Sequence, residues 1–262
     1  MAKRKKKKKN IKPYLLLALV LAVFLSYIIY TYMQQREAKF AVYPGFGISL
    51  PLGYEIHGID ISKHNGYIFW PAVASMKEKD VQLGFVFMKA TEGTSLVDVQ
   101  FKRNWKMAKE QNMVRGAYHF FLSSRSGADQ AKNFLKTVTL SGGDLPPVLD
   151  IEELHRVSPA EMRRQLQVWL DMVEKACGAK PIIYTNVDFY KNYLEGYFNK
   201  YPLWVAHYFA GGKPATDAHW VFWQHNDGGK VNGIRPAVDF NVFKGDSADF
   251  KKLLLKRTGS GY

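Results

Sequence analysis

The residues most able to do chemistry together are Asp150 and Glu152, in the run Pro146-Pro147-Val148-Leu149-Asp150-Ile151-Glu152. The apolar residues before them read as a strand, and residues i and i+2 of a strand point to the same side. Their Cβ atoms would lie roughly 6.5–7 Å apart, twice the strand rise. Two carboxyls that close can act on one bond. Like charge raises the pKa of one of them and leaves an acid still protonated near neutral pH. Asp60 and Asp239 also follow apolar strand-like residues. Aromatic residues end or line several of the other runs: Tyr118, Tyr184, Trp204, Tyr208 and Trp223, the last followed by Gln224. Acids ringed by aromatic faces suit a carbohydrate. Sugar rings stack on such faces, and glycosidic cleavage needs a proton donor beside a negative group.

The elements that must carry these residues follow from hydrophobic pattern. Short apolar runs predict strands over 55–61, 83–90, 114–121, 147–152, 181–185, 203–207, 220–224 and 237–240. Longer amphipathic stretches predict helices over 68–78, 97–111, 127–139, 158–176 and 188–198. The fourth is marked by Ser158-Pro159-Ala160-Glu161, an N-cap with Pro at N1 and Glu at N3. Five strand-helix repeats imply a parallel sheet with right-handed crossovers. After residue 207 the gaps hold Gly211-Gly212-Lys213-Pro214 and Asp227-Gly228-Gly229 and show no helical periodicity, so the last strands are expected to pair antiparallel. The fold class is α/β: a TIM-like β/α barrel of five βα units and three closing strands. In such a barrel the active site sits at the C-terminal strand ends, and the acids above lie at those ends.

The chain has 262 residues, 15% of them aromatic, and a formal charge of +14. That aromatic content excludes a disordered chain. One cysteine, Cys177, excludes an intrachain disulfide. No His-x-x-x-His pair supports a metal site and no Gly-x-Ser-x-Gly elbow supports a serine hydrolase. The basic charge is concentrated in a tail, residues 1–12. Uncharged Tyr14–Met33 follows it, about long enough to span a bilayer. Residues 13–33 are therefore expected to form a transmembrane signal anchor, with the tail cytoplasmic and the rest extracytoplasmic. Residues 34–53 read as a tether, 54–256 as the barrel and 257–262 as a tail.

Eight blocks resemble family 25 glycoside hydrolases, lysozymes that cleave peptidoglycan as N-acetylmuramidases. They are GIDISKHNG (58–66) with Trp70 after it, FVFMKATEG (85–93), RGAYHF (115–120), PPVLDIE (146–152), IIYTN (182–186), LWVAHY (203–208), WQ (223–224) and VDFNVFKG (238–245). Their order is the family's order. The resemblance implies Glu152 as the general acid and Asp150 as the acid that assists the 2-acetamido group or the charged centre. It implies Asp60 and Asp239 as the further acids of the groove floor. Tyr118, Tyr184, Trp204, Tyr208, Trp223 and Gln224 would line the sugar groove. It implies no metal and no cofactor. His64-Asn65 departs from the usual pair before Gly66, which bears on groove shape and not on the acids.

The expectation is a membrane-anchored, monomeric muramidase that cuts the β-1,4 bond between MurNAc and GlcNAc. Its partners are glycan strands and a membrane, not nucleic acid. The alternatives are a peptidoglycan-binding barrel without activity and a hydrolase of other N-acetylated glycans such as chitin oligomers.

Overall fold

A computed structural model describes residues 12–37, 39–208, 211–216 and 218–256. Nearly all of the expected basic tail, and the C-terminal tail 257–262, lie outside the described residues.

The described residues form twelve strands: β1 (Phe40–Tyr43), β2 (Ile48–Pro51), β3 (His57–Ile61), β4 (Lys77–Glu78), β5 (Val81–Glu92), β6 (Leu96–Val97), β7 (Val114–Phe120), β8 (Val148–Asp150), β9 (Ile182–Asn186), β10 (Leu203–Ala206), β11 (Trp220–Gly229) and β12 (Val238–Phe243). Eight of them close a barrel in the order β3-β12-β11-β10-β9-β8-β7-β5, with β5 returning to β3. Helices α2 (Trp70–Ser75), α3 (Phe101–Glu110), α4 (Gly127–Thr137), α5 (Pro159–Cys177) and α6 (Val187–Phe189), the last running into a π-helical turn at Tyr190–Leu194, fill the first five crossovers. Helix α7 (Ser247–Leu253) follows the last strand. The five βα units and three closing strands match the pattern read from the sequence. One detail differs. Strand β11 runs parallel to β10, and only β12 is reversed, antiparallel to β11 and to β3.

Period-2 alternation divides the core in two. Phe85, Phe87, Val148, Ile182, Trp204 and Phe222 fill the barrel interior. Space there is tight: a Cβ on Gly58 would lie 2.5 Å from the Phe85 ring, and one on Gly116 would lie 2.4 Å from the Phe87 ring. The outward residues, Ile59, Val86, Leu149, Val205 and Phe240 among them, join the larger cluster under the helices. Helix α5 begins as expected, with Ser158 Oγ accepting from the Glu161 N–H at 3.2 Å and Pro159 in the first turn.

The segment 34–53 is not a tether throughout. Strands β1 and β2 form an antiparallel hairpin, and Tyr43, Phe46 and Leu50 are buried. The hairpin packs on β11 and β12, the strands that carry no crossover helix. Phe46 meets Phe240 at 5.2 Å between centroids and Phe40 meets Trp223 at 6.4 Å. The Lys230 N–H donates to Phe46 O at 2.8 Å. Pro44-Gly45 is the turn of the hairpin, closed by Gly47 N–H to Pro44 O at 3.0 Å; as punctuation in the sequence it reads equally well as a linker.

Helix α1 (Lys12–Glu37) precedes the hairpin. Leu16, Val20, Phe24 and Tyr27 on it are exposed. Among the described residues no helix is long and apolar enough to cross a membrane. The transmembrane expectation is therefore not met by the described residues.

Candidate active site

The C-terminal ends of β3, β5, β7, β8 and β9 open into one recess of about 260 Å³. It is lined by Asp60, Ser62, His64, Lys89, Tyr118, Phe120, Asp150, Glu152, Tyr184, Trp204, Tyr208, Gln224 and Asp239. All four acids singled out in the sequence meet there.

Asp60 and Asp239 sit directly opposite each other in the β3–β12 register. Asp60 Oδ2 accepts from Gln224 Nε2 at 2.8 Å and from Asn241 Nδ2 at 2.7 Å. Gln224 is itself held. Its Oε1 accepts from Tyr184 OH at 2.7 Å and Tyr208 OH at 2.9 Å. Asn241 Oδ1 accepts from the Trp204 indole N–H at 2.8 Å. Three aromatic side chains thus fix the two amides that fix Asp60. Each amide is used at both ends, so neither side chain is free to flip.

Every acid of the recess holds its proton more tightly than usual. Burial pushes Asp239 up to about 9, with the Asp60 charge adding to it. Burial also raises Asp60, against the donors from Asn241 and Gln224 that favour its ionised form. Asp150 is raised well above the carboxylate range, first by burial and then by Glu152. Glu152 is raised by burial, while its hydrogen bond with Asp150 pulls the other way. Asp150 Oδ1 is buried and has no hydrogen-bond partner among the described residues. The pocket therefore offers a protonated acid, an unengaged carboxyl oxygen and a fixed, amide-bound Asp60. Lys89 supplies the cation: its Nζ lies 2.7 Å from Glu92 and 4.5 Å over the Phe120 ring. Among the described residues no group of three or more His, Cys, Asp or Glu is arranged to hold a metal ion.

The family model for "Glycosyl hydrolases family 25" matches residues 59–234, a range holding three of these acids. The chain belongs to that family. Lysozyme M1 of Streptomyces globisporus is 34% identical over 214 residues, covering 74% of this chain and 69% of its own. YegX of Escherichia coli K12 is 50% identical over 200 residues, covering 76% of this chain and 74% of its own. A family 25 glycosyl hydrolase from Bacillus anthracis has a structure with a TM-score of 0.70 at 31% identity, covering 77% of this chain and 94% of that one.

As a family 25 barrel, the chain is a glycoside hydrolase, and five of the six expected groove residues line the recess that holds the acids. Tyr118, Tyr184, Trp204, Tyr208 and Gln224 line the recess. Trp204 serves as its floor: it is nearly fully buried and stacks on Phe87 at 4.3 Å. Trp223 is a correction. It is fully buried on the outer face, where its indole N–H donates to His207 O at 2.9 Å. Gln224 points inward, so its strand neighbour must point outward. Two residues escaped the sequence reading although a signal was present. Asn241 stands two residues after Asp239 on one strand, and Lys89 continues the inward series Phe85, Phe87. The same-face rule applied to Asp150 and Glu152 would have found both.

Proposed function

We propose that this chain is a muramidase that hydrolyses the glycan of peptidoglycan at the β-1,4 bond between MurNAc and GlcNAc. The observation that carries the reading is the meeting of Asp60, Asp150, Glu152 and Asp239 in one aromatic-walled recess of a family 25 barrel. Relatives named as lysozymes support the substrate class.

In this reading Glu152 is the general acid. It gives its proton to the glycosidic oxygen as the C1–O bond breaks. Asp150 and Glu152 each perturb the other's ionisation, which marks them as near neighbours in the recess. Two carboxyls spaced for direct inversion stand about 6.5–9.5 Å apart. We therefore assign the attack on C1 to the acetamido oxygen of the same sugar. The open Asp150 Oδ1 takes the acetamido N–H, and a later water opens the resulting ring with net retention. Asp60 and Asp239 hold the floor and stabilise the charged centre.

The site is complete within one chain, which suits a monomer. The uncharged sequence Tyr14–Met33 and the exposed apolar side chains of α1 support a membrane anchor with the barrel on the extracytoplasmic side. The full-length protein in detergent should release soluble fragments from insoluble peptidoglycan, and Glu152→Gln should not. Equal release by both would overturn the assignment of Glu152. Retention of both on the wall without release would favour the binding module.

A further inference from the structure

A second recess, open and of about 620 Å³, continues from Glu152 away from the acid floor. Its walls include Ser124, Glu153, His155, Arg156, Phe189 and Tyr193, and Glu153 faces His155 at 3.7 Å, which leaves Arg156 as the cation without a carboxylate among the described residues. The backbone here is unusual. His155 and Arg156 stand side by side at φ +49° and +64°. Left-handed backbone disfavours side chains and suits glycine. Of the described non-glycine residues with positive φ, only these two are adjacent. Strain of this kind gathers at ligand clamps, where the surroundings hold it in place. Here Ser123 does so: its Oγ donates to Glu153 O, and its N–H lies 3.4 Å from His155 Nδ1. The chain thus keeps two large polar side chains where glycine would fit with less strain.

Arg156 is exposed and has no carboxylate partner among the described residues. It lines the second recess, which shares Glu152 with the acid-floored first recess. We infer that this recess is a subsite for the carboxylate-bearing peptide of the substrate, with Arg156 as its anion contact and Phe189 and Tyr193 as its walls. The inference rests on the muramidase reading and deepens it. The MurNAc that is cut carries its lactyl-peptide on the same ring, and Glu152 lines both recesses, so a sugar held at Glu152 has the second recess within reach of its peptide. An anionic substrate approaching four acids needs a cation beside its own charges, and a guanidinium matches a carboxylate in two parallel bonds.

The test compares two substrates with the full-length protein: soluble peptidoglycan oligomers with their peptides, and the same oligomers after amidase removal of the peptides. Arg156→Gly removes the cation and relieves the backbone. It should raise KM about tenfold on the peptide-bearing oligomers, leave kcat near wild type, and change neither constant on the stripped glycan. Its Tm should not fall. Arg156→Lys should recover part of the loss. Equal effects on both substrates, or none on either, would overturn the subsite. Cleavage of stripped glycan by the wild type tests the muramidase reading separately, and a wild type that cuts neither substrate removes both.

Discussion

Asp60 and Asp239 face each other across the β3–β12 register, one of the two barrel seams, with β11–β12, where antiparallel strands meet. The reversal of β12 puts its first residues, not its last, at the active-site end. An acid near the start of β12 therefore stands beside the acid near the end of β3. Burial and the Asp60 charge raise Asp239 to about 9. The folded protein keeps a proton there that the unfolded chain, with Asp near its ordinary value, has already released. The stability this proton contributes is full below about pH 4 and is lost as pH rises towards about 9. Thermal unfolding at a series of pH values should show Tm falling across that window. Asp239→Asn should flatten the fall, though not abolish it, because Asp60, Asp150 and Glu152 are raised in the same direction. An unchanged slope in the variant would contradict the account of a proton held on Asp239.

Glu152→Gln should lower kcat by about 10²–10⁴, the usual worth of a general acid, with little change in Tm. In the wild type the activity should fall on the alkaline side as Glu152 loses the proton that burial helps it keep. A glutamine variant with near wild-type kcat would assign the proton donor elsewhere.

Asn241 bridges Trp204 and Asp60. Asn241→Leu would leave a buried carboxylate oxygen short of a donor, at a cost of about 1–3 kcal/mol. Activity should fall together with stability. Loss of neither would show that Gln224 alone can hold Asp60.

Trp223→Ala should cost about 3–5 kcal/mol of stability and leave KM for soluble glycan unchanged below the unfolding range. A raised KM with an unchanged Tm would return Trp223 to the sugar groove.

Phe46→Ala should also cost about 3–5 kcal/mol, because Phe46 is fully buried against Phe240. A barrel begun at residue 54 would expose the outer face of β11 and β12 and should unfold at a markedly lower temperature. No loss in either protein would restore the tether reading of residues 34–53.

The barrel was legible because its signals are local and repeated. Strand runs alternate with amphipathic helices from β3 to α6, and loss of that alternation after β10 marked the closing strands. The direction of β11 was not legible, since a short connection does not by itself settle parallel against antiparallel pairing. The hairpin was missed because Pro44-Gly45 serves as well in a turn as in a linker, and only the uncovered face of β11 and β12 decides between them. Among the site residues, the acids were found by strand position and Trp223 was misplaced by adjacency. It sits next to Gln224, and on a strand the next residue belongs to the other face.

The chemical identity of the new reducing end tests the central claim most directly. Peptidoglycan digested by the full-length protein would be reduced with borohydride and the ends identified by mass spectrometry. The account predicts reduced MurNAc ends, absent with Glu152→Gln. Reduced GlcNAc ends would contradict it, since they would place the cut at the other glycosidic bond of the strand.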